Sequence, residues 1–195
     1  MLRNVSTRSA ESGTRSRTRR AIISAAATVL ARDRRATLAE IAQAAEVGRS
    51  TLHRYFADRD ELVRAAALDS IVLIEEAVLG AAVTEGPPAD AMRRLVTGLV
   101  GTGDRLLFFF GDPNLVAELP DDGDDQTERL VLDLIERGQA AGVFDPDVSA
   151  AWIMSVLWAL VYTGAEAVQQ GMVPRHGVTA HVIRTLENGI SAPTG

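Results

Sequence analysis

From Arg15 to Ile190 the apolar residues recur at three- and four-residue steps, and no apolar–polar alternation runs long enough for a strand. That periodicity restricts the chain to an all-α fold. Ile22, Ala26, Val29 and Leu30 mark one face of a first helix ending near Ala31. Thr37-Leu-Ala-Glu40 has the form of a capping box, in which the Thr hydroxyl and the Glu carboxylate satisfy each other's backbone amides. It opens a short second helix with Leu38, Ile41, Ala42 and Ala45 inward. After a break of a few residues at Val47-Gly48, Arg49 to Tyr55 forms a third short helix, with Leu52 and Phe56 apolar. Asp58-Arg-Asp-Glu61 repeats the capping signature and starts a long fourth helix through about Ala82. Gly86-Pro87-Pro88 ends it.

Further helices are expected over Pro88 to Phe110, Gln126 to Ala141, Val148 to Gln170 and about His176 to Ile190. Residues 1–14, rich in Ser, Thr, Arg and Gly without apolar rhythm, are expected to be a disordered basic arm. Residues 15–74 then form an N-terminal domain and residues 75–195 a second helical domain. Val148 to Ala165 is uncharged over 18 residues, the lower limit for a membrane span. Its flanks are acidic, with no Lys/Arg anchor at either end, so the expectation is a helix buried in protein and no membrane partner.

The formal charge of −6 averages two unlike parts. Residues 1–64 carry 13 Arg against 7 acids, a balance of +6; residues 65–195 carry 7 Arg against 19 acids, a balance of −12. Such asymmetry suggests different partners for the two parts. The absence of Cys excludes disulfides, thiolate zinc sites and a cysteine nucleophile. The three His (His53, His176, His181) form no zinc-type pair, and there is no phosphate-binding loop. No metal, cofactor or enzymatic activity is expected.

Thr37 to Phe56 meets the physical demands of a helix-turn-helix: two helices locked by Ile41, Ala42, Ala45, Val47 and Leu52, with Arg49, Ser50, Thr51, His53, Arg54 and Tyr55 left as hydrogen-bonding side chains. Arg can pair with guanine, and Ser or Thr with bases or phosphate. The helix start near Arg59 offers a second phosphate site through its free amides. By period alone, the same pattern also describes a small amphipathic helical pair in any α-domain.

The segments Ile22-Ile-Ser-Ala-Ala-Ala, Thr37-Leu-Ala-Glu-Ile-Ala-Gln-Ala-Ala, Val47-Gly-Arg-Ser-Thr-Leu-His-Arg-Tyr-Phe56 and Asp60-Glu-Leu62 distinguish the two. In order and spacing, Arg15 to about Ile74 resembles the DNA-binding domain of the TetR family of bacterial transcriptional regulators. The resemblance implies DNA contacts from Thr37, Arg49, Ser50, Thr51, His53, Arg54 and Tyr55, with Arg59 where the family commonly has Lys. Three positions depart from the family pattern. Glu46 replaces a glycine suited to left-handed backbone, at a cost of about 1 kcal/mol. Gly48 replaces the usual hydroxyl cap, and His53 replaces a tyrosine that typically touches phosphate.

For residues 75–195 the resemblance lies in layout and implies a ligand-binding and dimerisation domain. Ala151, Ser155, Ala159 and Thr163 form a row of small residues that permits close helix approach. With Val182 and Leu186 of the last helix they are expected at a homodimer interface, as a four-helix bundle across a two-fold axis. Phe108, Phe109 and Phe110, with Met92, Leu99, Met154, Trp158 and Tyr162, are the candidates to line an apolar effector cavity. Asp121, Asp122, Asp124 and Asp125 lack the Gly and terminal Glu of a calcium loop and are expected to be solvated.

The function expected from all this is a cytoplasmic, dimeric repressor, released by a largely apolar small molecule from a near-palindromic double-stranded DNA operator. A DNA-binding activator of the same family, or an α-helical protein-interaction module without DNA function, are the alternatives.

Overall fold

The computed structural model describes residues 4–112, 115 and 126–191, the first nine of these by backbone alone. The acidic run Asp121 to Asp125 and residues 1–3 lie outside the described residues. Nine helices stand among the described residues: α1 (Asn4–Arg32), α2 (Leu38–Ala44), α3 (Arg49–Tyr55), α4 (Arg59–Gly80), α5 (Pro88–Gly101), α6 (Gly103–Phe110), α7 (Gln126–Ala140), α8 (Ala150–Gln169) and α9 (Arg175–Ile190). An isolated antiparallel bridge pairs Phe144 with Ser191. The chain divides into two compact units, Met1–Ser70 and Ile71–Gly195, and α4 runs through the division.

In the first unit the spacing of apolar residues explains the packing. Ile22, Ile23, Ala26, Ala27 and Leu30 of α1, Ile41 and Ala42 of α2, Leu52 of α3, Phe56, and Leu62, Ala66 and Ala67 of α4 are buried. Helix α1 begins at Asn4, within the stretch expected as an arm. A helix turn without an apolar face leaves no periodic signal to find, and among the described side chains of α1 the buried ones start at Ile22. Asp58 and Glu61 open α4 as a capping pair: Asp58 Oδ1 accepts from Glu61 N–H at 2.8 Å, and Glu61 Oε2 accepts from Ala57 N–H at 2.7 Å.

In the second unit Ala91, Met92, Leu95, Val96 and Leu99 of α5 pack with Leu134 and Ile135 of α7, Ile153, Leu157 and Val161 of α8, and Val178, Val182, Leu186 and Ile190 of α9. The helix expected over Pro88 to Phe110 is broken at Thr102, whose hydroxyl donates to Leu99 O at 2.8 Å between two glycines. Gly164 lets α8 and α9 approach closely: a Cβ there would stand 2.8 Å from Val182 Cγ2. Two arginines hold the segment after α4. Arg94 donates to the carbonyls of Ala81, Ala82 and Glu85, and Arg137 to those of Val83, Thr84 and Gly86. Carbonyls of a turn have few backbone partners, and these guanidinium groups supply donors to those of residues 81–86.

Helix α8 is covered on one side only. Ile153, Leu157, Val161, Gly164 and Ala165 are buried, whereas Ala151, Trp152, Ser155, Ala159 and Thr163 are exposed. By length and apolar composition it would suffice to cross a membrane, but its inward face is packed in the core of this unit.

Candidate nucleic-acid interface and ligand cleft

The capping box of α2 is present. Glu40 Oε2 accepts from Thr37 N–H at 2.6 Å and from the Thr37 hydroxyl at 2.7 Å, and Thr37 Oγ1 accepts from Glu40 N–H at 3.3 Å. The backbone bond from Thr37, then its hydroxyl, holds the Glu40 carboxyl below its ordinary range. Helix α2 ends in a Schellman turn, with Val47 N–H bonded to Ala42 O at 2.9 Å and Glu46 N–H to Gln43 O at 3.0 Å. Glu46 occupies the left-handed position, with φ of 55°. Gly48 caps α3 without a side-chain bond.

This turn fixes α3 against α2 through the fully buried Leu52 and leaves Arg49, Ser50, His53 and Arg54 exposed, with Thr51 and Tyr55 half-buried. A groove brings Thr37, Leu38, Ala39, Arg49 and His53 together. The Arg15 guanidinium lies 6.0 Å and that of Arg54 5.7 Å from the centroid of the Tyr55 ring, and Arg19 lies 5.3 Å over Phe56. Such cation–π contacts stiffen the end of α3 and concentrate positive charge there. Arg15 and Arg19 escape motif reading, because only the fold brings α1 beside the end of α3.

Arg59 differs from expectation. Its guanidinium is half-buried and donates to two backbone carbonyls: Ala36 O, and Arg34 O at 2.6 Å. The donors expected to meet phosphate are engaged within the protein.

In the second unit a cleft of about 420 Å³ is lined by Ile71, Ile74 and Glu75 of α4, Phe109 and Phe110 of α6, Thr127 and Glu128 of α7, and Met154, Ser155 and Trp158 of α8. The Phe110 and Trp158 rings stand 5.9 Å apart and those of Phe109 and Phe110 5.0 Å. Of the effector candidates, the cleft includes Phe109, Phe110, Met154 and Trp158. Met92 and Leu99 of α5 and Phe108 of α6 are instead buried, and Tyr162 is not among the lining residues. Glu75 and Glu128 were missed, because carboxylates carry no signal in a search for apolar residues.

The expected interface residues also divide. Ala151, Ser155 and Ala159 are exposed on α8, and Ser155 also borders the cleft. Val182 and Leu186 are 4% and 1% exposed within one chain. They pack within the core of this unit, against α8 and α5, so the exposed part of the expected interface is the α8 row.

The pattern described as bacterial regulatory proteins, tetR family, matches residues 22–66, the stretch that carries the helix-turn-helix. The HTH-type transcriptional repressor LfrR of Mycolicibacterium smegmatis is 38% identical over 187 residues, 93% of this chain and 95% of that protein. The chain belongs to the TetR family. The crystal structure of LfrR, a TetR-like regulator, superposes on this TetR-family chain with a TM-score of 0.70 at 35% identity, covering 91% of this chain and 98% of LfrR. LfrR in complex with proflavine superposes with a TM-score of 0.66 at 34% identity, covering 91% and 99%. This TetR-family protein is therefore a bacterial helix-turn-helix transcriptional regulator and not an enzyme. Membership implies a DNA operator and a small-molecule effector.

Proposed function

We propose that this regulator is a cytoplasmic, homodimeric repressor that occupies a near-palindromic operator and is released by a planar, cationic aromatic effector. The observation that carries the DNA reading is the exposed polar face of α3, presented by a closed Schellman turn within a region of charge +6. Arg49 and Ser50 stand at the N-terminal end of that helix, the part that reaches base edges in a major groove.

The cleft supports the effector class. The neighbouring rings of Phe110 and Trp158, inclined at 45° to each other, offer aromatic faces to a flat ring system, and Glu75 and Glu128 suit a positive charge on it. A volume of about 420 Å³ falls within the range of small-molecule sites. LfrR, a relative across nearly the full chain, binds proflavine, which has that chemistry. The exposed small-residue row of α8, with Trp152 64% exposed beside it, supports pairing of two copies. A dimer places two α3 helices on successive half-sites, about one helical turn of DNA apart. The test is selection of duplexes from a random pool by the purified chain, followed by titration with proflavine. An enriched pseudo-palindrome that proflavine displaces supports the reading; no enrichment refutes it.

A further inference from the structure

Arg59 is the first residue of α4. A cation there opposes the helix dipole, which favours negative groups at an N-terminus, and Asp60 and Glu61 follow it in the same turn. Its guanidinium is turned instead to the carbonyls of Arg34 and Ala36. These two carbonyls lie just beyond the end of α1 at Arg32 and immediately before Thr37, the N-cap of α2. The same turn is closed locally: Ala36 N–H bonds to Asp33 O at 3.0 Å, and Arg35 N–H to Asp33 Oδ1 at 2.8 Å.

We propose that Arg59 is a positioning residue for DNA binding: its fork joins the end of α1, the start of α2 and the start of α4, and so sets the α2–α3 pair at the angle the groove requires. It acts through hydrogen-bond geometry rather than as a charge on phosphate. Two parallel N–H donors from one plane are needed to span both carbonyls, and a lysine ammonium cannot present them in that way. The inference rests on the DNA-binding reading above. It also assigns Arg59 a role opposite to the one expected of a basic residue at a helix start, since a phosphate contact would leave the fork facing solvent.

The test uses the full chain as wild type, Arg59→Lys and Arg59→Ala. Each is titrated over a range of salt against the duplex that the wild type selects from a random pool. If the wild type selects and binds no duplex, the DNA reading fails, whatever the variants do. If it binds, the proposal predicts that both variants lose affinity by a similar factor, about tenfold or more, and that the slope of log affinity against log salt stays at the wild-type value. Amide exchange at Ala36 to Glu40 should rise in both. A phosphate contact predicts the reverse: the slope falls by about 0.9 in Arg59→Ala, and Arg59→Lys restores both slope and affinity. That outcome overturns the proposal. So does wild-type affinity in both variants. Variants that lose helicity by circular dichroism reduce Arg59 to a fold-stabilising residue and overturn it as well.

Discussion

Glu40 and Thr37 satisfy each other's backbone at the start of α2: Glu40 Oε2 accepts from Thr37 N–H at 2.6 Å while Thr37 Oγ1 accepts from Glu40 N–H at 3.3 Å. The pair sets where α2 begins, and α2 carries α3 through the turn that follows. Thr37→Ala should lower stability by about 1 kcal/mol, read as a reduced urea midpoint with an unchanged m-value. The bonds lower the Glu40 pKa from its ordinary 4.5. A depressed folded-state value means the stabilisation is fully present above 4.5 and is lost as pH falls through the lower folded value. Wild type should therefore lose its advantage over Glu40→Gln below about pH 4.5, and a gap that instead widened there would contradict the assignment.

Glu46 holds a left-handed backbone, with φ of 55°, at the position a Schellman turn gives to glycine. Replacing it by glycine relieves the steric cost and adds entropy to the unfolded chain, two effects of opposite sign. Relief of a left-handed Cβ, roughly 1–2 kcal/mol, is the larger. Glu46→Gly should raise the thermal midpoint by a few degrees, and a lowered midpoint would show that the Glu46 side chain stabilises the turn.

The order of helices was legible because each one buries a stripe. Thr37, Asp58 and Gly48 marked starts, and Leu52 and Phe56 marked the inward face of α3. What period reading could not supply was whatever depends on chain segments meeting. Arg15 over Tyr55 and Arg59 on Arg34 O are contacts of that kind. Val182 and Leu186 show a related limit of period reading. An apolar stripe on α9 says that something covers it, and the cover proves to be α5 and α8 of the same chain. The cleft was half legible: the apolar and aromatic residues pointed to Phe109, Phe110, Met154 and Trp158, while Glu75 lies on a different helix and carries the opposite hydropathy.

Glu75 and Trp158 give the cleft its discrimination. Trp158→Ala should weaken proflavine binding about tenfold or more through lost stacking. Glu75→Gln should weaken it a few-fold, the scale of a partly exposed charge pair, while leaving an uncharged three-ring aromatic of the same shape unaffected. Equilibrium titration followed by ligand fluorescence reads both. Equal loss for charged and uncharged ligands would remove Glu75 as the source of charge selectivity.

The exposed row on α8 is the surface proposed to pair two chains. Ala159→Glu introduces a long carboxylate where close approach is needed, and burying it unpaired is costly. Sedimentation equilibrium should show a wild-type dimer and a largely monomeric variant with unchanged helicity. Both proteins sedimenting as the same dimer would place the interface elsewhere.

Whether α3 reads DNA is decided by fluorescence anisotropy on the duplex enriched from a random pool, with Arg49→Ala beside the wild type. The wild type should show a salt-dependent affinity for the enriched pseudo-palindrome at least about 10³-fold above random duplex. Arg49→Ala should lose about 1–3 kcal/mol of it and relax preference at the base it contacts. Equal binding of enriched and random duplexes by the wild type, or an Arg49→Ala variant with unaltered affinity and preference, would contradict that role of α3.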